Sequence, residues 1–178
     1  MGRWGKKDRF FVPPVETVNN LIGLPKTGQT TSYNTGDDGD YEAGSAISPR
    51  FTDNGDGTIT DNVTGLMWVK DGYCNGSPPS CMQTYVNALA YAEALNYAEH
   101  TDWRLPNVFE LMSIVDVSKS PAVPTIFTNT AAYFYRTSTE CGSTKLCINF
   151  GLPIVVSAAN PTEPFFLRCV RGGTINGS

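Results

Sequence analysis

Thr101-Asp102-Trp103-Arg104-Leu105-Pro106-Asn107 lies between two stretches of helical apolar spacing, and it constrains this chain more than any other segment. Trp brings a large ring, Arg a permanent charge and Pro a backbone without a donor. A junction that accommodates all three side by side has to be a specific one. Trp103 is expected to plug the gap between the two helices, with Arg104 paired to a carboxylate or to carbonyls; the competing reading makes Arg104 a ligand contact. A proline next to a helix start favours the structural reading.

The flanking pattern sets the fold class. Tyr85, Ala88, Leu89, Ala92 and Leu95 recur at three- and four-residue steps, which predicts a first helix over 82–98. A second helix is expected to start near Asn107, with Glu110 three residues later as a capping box and Val108, Leu111, Met112 and Val115 as its buried stripe. Residues 50–69 read as a hairpin around Asn54-Gly55-Asp56-Gly57, followed by a buried strand containing Trp68. Further short strands are expected at 133–138, 146–150, 154–157 and 165–170. Pro121 and Pro124 break the segment between. Two helices with clustered antiparallel strands, and no alternation of the two, make an α+β domain.

At 178 residues the chain divides into residues 1–23, an arm or linker, and one domain over 24–178. The arm holds Phe10, Phe11, Val12, Val15, Val18, Leu21 and Ile22, interrupted by Pro13-Pro14, and residues 24–44 read as irregular. Net charge is −4, yet residues 1–9 carry +3, so the remaining chain carries −7. So acidic a body disfavours phosphate binding and excludes a nucleic-acid role. No apolar run is long enough to span a membrane.

Cys74 and Cys81 bracket a Gly/Pro/Ser loop, where a local disulfide is the favoured reading over two thiols. Cys141 and Cys147 allow a second clip, leaving Cys169 as an odd cysteine buried in a strand. This usage points to a secreted, periplasmic or cell-surface location, although Met1 to Arg9 carries no secretory h-region. His100 is the single histidine and sits beside the structural junction, so no catalytic set is expected and the protein reads as a non-enzyme. The loop from Asp53 to Asp61 fails the EF-hand spacing, so neither metal nor other cofactor is expected. Leu24-Pro25-Lys26-Thr27-Gly28 spells a sorting signal, but a folded domain follows it, so the match is coincidental.

Taken in order, Leu24-Pro25-Lys26-Thr27-Gly28-Gln29-Thr30, the run from Phe51 to Asp61, Thr64-Gly65-Leu66-Met67-Trp68, the run from Thr101 to Asn107 with Glu110-Leu111, and Arg168-Cys169-Val170-Arg171-Gly172-Gly173 resemble the bacterial Lcl C-terminal domain family, named for a collagen-like surface adhesin. The resemblance covers residues 24–173. It implies a C-type lectin-like fold in an exported or surface-displayed protein, with the adhesin's own domain trimeric and binding sulfated glycosaminoglycans. The chain departs from the family at Tyr133-Phe134-Tyr135-Arg136, where relatives carry Tyr-Trp-Ser-Ser, and over most of 141–163. Ligand identity is therefore not carried over.

Three functions follow as expectations. The first is a recognition module for a glycan or protein ligand, through Tyr133, Tyr135, Arg136 and Lys145. Aromatic faces stack on sugars and cations contact sulfate or carboxylate, while the plainer reading makes the tyrosines sheet residues. Trp68, Trp103, Arg104, Cys169 and Arg171 are assigned to structure. The second is an assembly subunit of a pilus, filament or surface complex that docks through residues 1–23, as a homo-oligomer or within a larger array. The third rests on Trp103-Arg104-Leu105-Pro106, which also resembles the formylglycine-generating enzymes, whose cysteine pair binds copper. Here the separation of Cys141 and Cys147 is a residue too long and the surrounding motif is missing.

Overall fold

The computed structural model describes residues 24–73, 82–152 and 155–172. Residues 1–23 and the Cys74–Cys81 pairing lie outside the described residues. The elements run in the order α1 (Asp38–Tyr41), β1 (Phe51–Asp53), β2 (Thr58–Asp61), β3 (Met67–Val69), α2 (Tyr85–Ala94), α3 (Val108–Ser113), β4 (Phe134–Cys141), β5 (Thr144–Asn149), β6 (Val155–Ala159) and β7 (Val170–Arg171). They form two antiparallel sheets, one of order β1-β2-β3-β7 and one of order β4-β5-β6. The mixed α+β class expected from the periodicities is what the chain adopts.

The hairpin closes for local reasons. Asp53 accepts from the amide of Gly55, Asp56 accepts from the amide and hydroxyl of Thr58, and Asn54 donates from its backbone to the Thr58 carbonyl. These are the side-chain-to-backbone bonds that let Asp and Asn mimic a turn. Gly57 takes φ +90°, and a Cβ there would fall 1.9 Å from the Tyr97 hydroxyl, so only glycine fits. Asp53 also meets Lys70 at 2.5 Å, and Asp61 meets Arg50 at 2.9 Å. The loop's carboxylates are thus engaged by amides, a hydroxyl and cations.

The first helix is shorter than its apolar spacing predicts. Gln83 exchanges both backbone bonds with Phe165, which commits the chain before Tyr85 to extended pairing. After Ala94 the backbone leaves helical geometry at Leu95, and Ala98 and Glu99 take positive φ in a turn closed by reciprocal Tyr97–His100 bonds. The second helix starts as the sequence specifies. Asn107 accepts from the Glu110 amide, and Glu110 reaches back to the Asn107 amide, which completes the capping box. One element was not foreseen: α1, a single turn capped by Asp37 within the stretch read as irregular.

Residues 165–170 are buried without interruption and join the two sheets. Phe166 pairs with Tyr135 of β4, while Val170 pairs with Trp68 of β3 and with Arg104 of the junction. The main core gathers Ile59, Leu66, Trp68, Leu111, Ile114, Tyr135, Ile148, Phe150, Phe166 and Val170. A second core packs Ala88 and Ala92 of α2 against Val69, Trp103, Leu105, Leu167 and Cys169. Each large apolar side chain taken wholly from water contributes about 1.5–3 kcal/mol, so the two clusters dominate the favourable side of folding.

Candidate functional site

Of the four residues nominated for ligand contact, the fold buries two. Tyr135 is 0% exposed, with its ring stacked on Phe166 at 5.4 Å and edge-on to Phe150 at 4.9 Å. Arg136 is also 0% exposed. Its guanidinium donates to the carbonyls of Gln83, Asn160 and Glu163 and lies 4.7 Å over the Phe165 ring. Both are sealed because β4 is covered on both faces, one by the main core and one by residues 160–165. Burial lowers the Arg136 pKa, and Nη1 has no hydrogen-bond partner among the described residues. Lys145 bonds Glu140 at 2.5 Å and lies 4.8 Å over Tyr85. Tyr133 alone keeps a substantial open face, at 43% exposure, with its other edge against Phe134 and Phe165.

The residues assigned to structure are all engaged. Trp68 is fully buried at the centre of the first sheet. Trp103 is 2% exposed and donates to the Tyr97 carbonyl at 3.0 Å. It does not fill a gap between the helices, as the sequence suggested. It packs on α2 and the sheet, while α3 belongs to the other core. Arg104 makes a two-pronged pair with Glu110 at 2.7 and 2.8 Å and also reaches the Gly172 carbonyl. Arg171 bonds Asp102 at 2.6 Å, an interaction that leads those holding the Asp102 carboxyl below its ordinary range. Cys169 is buried one residue before β7, and burial pushes its thiol up to about 12. Arg168, not nominated for a site, is the most committed cation: it donates to the carbonyls of Val69 and Lys70 at 2.6 Å and to the Thr130 hydroxyl at 2.7 Å.

Cys141 and Cys147 are not joined, which corrects the expected second clip. Both stand as thiols, Cys141 exposed and Cys147 buried. The ladder places Cys141 opposite Thr144, three residues before Cys147 along β5. At the usual strand rise that is about 10 Å, beyond the roughly 7 Å a disulfide tolerates between Cα atoms.

What stays open is a loop pocket that sequence reasoning passed over. Residues 119–130 enclose a cavity of about 470 Å³ lined by Lys119, Ser120, Thr125, Thr128, Asn129 and Thr130, with buried Val123 and Phe127 beneath. The loop is held firmly from behind. Thr128 exchanges backbone bonds with Lys70 and Gly72, Asn129 donates to Asp71 at 2.9 Å, and Ala122 donates to the Phe150 carbonyl at 2.8 Å. Gly72 is required here, because a Cβ would fall 2.5 Å from the Asn129 carbonyl and 2.7 Å from Arg168. Lys119 forms no ion pair among the described residues. The signal in the sequence was a Ser/Thr/Asn-rich run around Pro121 and Pro124, which reads equally well as a connection.

Comparison with protein families then settles the relationship. The model of the Lcl C-terminal domain matches residues 57–171, about two thirds of the chain. The chain belongs to this family. The match runs from β2 to β7 and takes in the Trp103 junction, the loop pocket and the joining segment; it begins after the Leu24-Pro25-Lys26 motif, α1 and β1. Lcl C-terminal domains are surface-associated. No helix among the described residues is long and apolar enough to cross a membrane. No curated protein matches the chain.

Proposed function

We propose that this Lcl C-terminal domain is a non-enzymatic recognition module with a C-type lectin-like arrangement, secreted or displayed at a bacterial surface. It holds a glycan on the loop pocket of residues 119–130. The observation that carries this reading is a pocket of side-chain hydroxyls, one amide and one uncommitted lysine, fastened to a rigid floor. Polyhydroxylated ligands are held by such convergent polar groups, and a fastened loop loses little freedom on binding. With a single cation at the rim and an acidic body behind it, the pocket suits a neutral glycan or one bearing a single sulfate or carboxylate. Tyr133 lies three residues beyond the pocket and offers a ring face to a neighbouring sugar.

The cations elsewhere support a binding role over a catalytic one. Arg50, Lys70, Arg104, Lys145 and Arg171 are each paired with a carboxylate, and Arg136 and Arg168 are spent on backbone carbonyls. A glycan array followed by calorimetric titration tests the proposal. Lys119→Ala with Thr125→Ala should weaken the best hit at least about tenfold, the loss of two polar contacts, and leave the melting temperature unchanged. An array without hits, or a hit indifferent to both substitutions, would reject the glycan reading; capture of a protein by the same pocket would replace it with a protein ligand.

A further inference from the structure

Residues 128–131 run along the end of the loop pocket, and each is tied to a different group behind it. Thr128 exchanges backbone bonds with Lys70 and Gly72, and Asn129 donates its side-chain amide to Asp71 at 2.9 Å. The Thr130 hydroxyl oxygen accepts from Arg168 at 2.7 Å, and the Ala131 amide donates to the Tyr135 hydroxyl at 2.8 Å. Arg168 and Tyr135 are buried, so the segment cannot turn over without stranding polar groups away from water. These ties decide which hydrogen-bonding groups remain for the pocket. An Asn side chain carries donors on its nitrogen and an acceptor on its oxygen. Asp71 accepts with both carboxylate oxygens, one from the Tyr73 amide at 2.7 Å and the other from Asn129. The Asn129 nitrogen therefore faces Asp71, and its oxygen is turned away from it. Nothing among the described residues donates to that oxygen. Asn129 also takes φ +50°, a backbone conformation that Asn tolerates better than most residues, with its carbonyl close against Gly72. Thr130 is fixed in the opposite sense. Its oxygen is engaged by Arg168, while the Phe127 carbonyl lies 3.5 Å away, too far to hold the hydroxyl proton well.

We infer that Asp71 and Arg168 are positioning residues that set what the pocket accepts, by making Asn129 offer it an amide oxygen and Thr130 a hydroxyl proton. Both side chains line the cavity. The inference rests on the glycan reading of this pocket and narrows it. The sugar carries a free hydroxyl where it meets Asn129, because a hydroxyl donates there and an ether, an O-methyl group or a sulfate ester does not. At Thr130 any sugar oxygen serves, since only an acceptor is needed. A sulfate or carboxylate on the same glycan belongs beside Lys119, away from the Asn129 oxygen. A site arranged to take a hydroxyl proton discriminates against the analogue that lacks it, because the acceptor is then left without its partner.

Asp71→Asn tests the positioning without emptying the space. The Tyr73 amide cannot turn, so the new side chain keeps its oxygen toward Tyr73 and aims its nitrogen at Asn129. Asn129 must then rotate its own amide and offer the pocket a donor. Adding Asn129→Asp to Asp71→Asn restores the bond between the two positions and returns an acceptor to the pocket. Methyl β-galactoside, methyl β-glucoside and methyl α-mannoside, each beside its monodeoxy and mono-O-methyl derivatives, are titrated into the full chain and followed by NMR. Wild type should lose at least about tenfold in affinity when one particular hydroxyl is removed or methylated, the worth of one hydrogen bond. Asp71→Asn should erase that preference, and the double exchange should recover it. An unchanged preference in Asp71→Asn would overturn the inference. A second readout needs no sugar: the Asn129 side-chain amide protons should exchange with water more slowly in wild type than in Asp71→Asn. Equal exchange in the two proteins rejects the positioning whether or not a glycoside binds. Slower exchange in wild type with no glycoside bound rejects the glycan reading instead, and the sugar hydroxyl with it.

Discussion

Glu110→Gln isolates the charge at the most heavily shared carboxylate of the junction. One Glu110 oxygen accepts from the Asn107 amide at 2.7 Å and from Arg104 at 2.8 Å, and the other accepts from Arg104 at 2.7 Å. Glutamine keeps the shape and one acceptor, so the capping-box bond survives while the two-pronged ion pair becomes a single bond from Arg104 to an uncharged amide oxygen. Bonds to charged groups contribute about 1.5–3 kcal/mol and neutral ones about 0.5–1.5. The Arg104 side chain is 34% exposed, which lets water take up part of the loss. The expected cost is therefore roughly 1–2 kcal/mol at neutral pH. Its pH dependence is the sharper test. Burial tends to raise the Glu110 pKa, but the Arg104 hydrogen bond, the Asn107 amide and the Arg104 charge together outweigh it and leave the value lowered from 4.5. A carboxylate depressed in the folded state stabilises above its unfolded pKa and loses that contribution as pH falls through the folded one. Urea unfolding at pH 7 and at pH 3 should thus show the gap between wild type and variant shrinking as the solution is acidified. A gap of equal size at both values would refute the assignment of the stabilisation to ionised Glu110.

Two further outcomes follow from the same structure. Arg168→Met should cost about 3–5 kcal/mol, because it strips donors from buried carbonyls that water cannot reach; a loss below about 1 kcal/mol in chemical denaturation would contradict the role given to this cation. Among the described cysteines, iodoacetamide under native conditions should label Cys141, with Cys147 and Cys169 reacting only in denaturant, as burial and a thiol near 12 require for Cys169. A peptide linking Cys141 to Cys147 would contradict the β4–β5 register.

Legibility followed the range of the interactions involved. The Asn54–Gly57 turn, the Asn107–Glu110 box and the buried stripes of α2 and α3 were readable, since each is decided within a few residues by backbone geometry and side-chain caps. The later start of α2 was not readable, because the Gln83–Phe165 pairing that sets it is a tertiary contact. The candidate site fared worse for the same reason. Tyr133, Tyr135 and Arg136 differ little on paper, yet one is open and two are sealed by residues 160–166 arriving from the other end of the chain.

The amino-acid order alone therefore decided the α+β class, the family, the hairpin and the capped helix, all of which rest on short-range preference and periodic burial. Only the tertiary structure decided which faces of β4 meet water, that Cys141 and Cys147 stand too far apart to bridge, and that a polar loop behind Arg168 forms an open pocket. Exposure and distance are properties of strands meeting across the chain, and no local pattern encodes them.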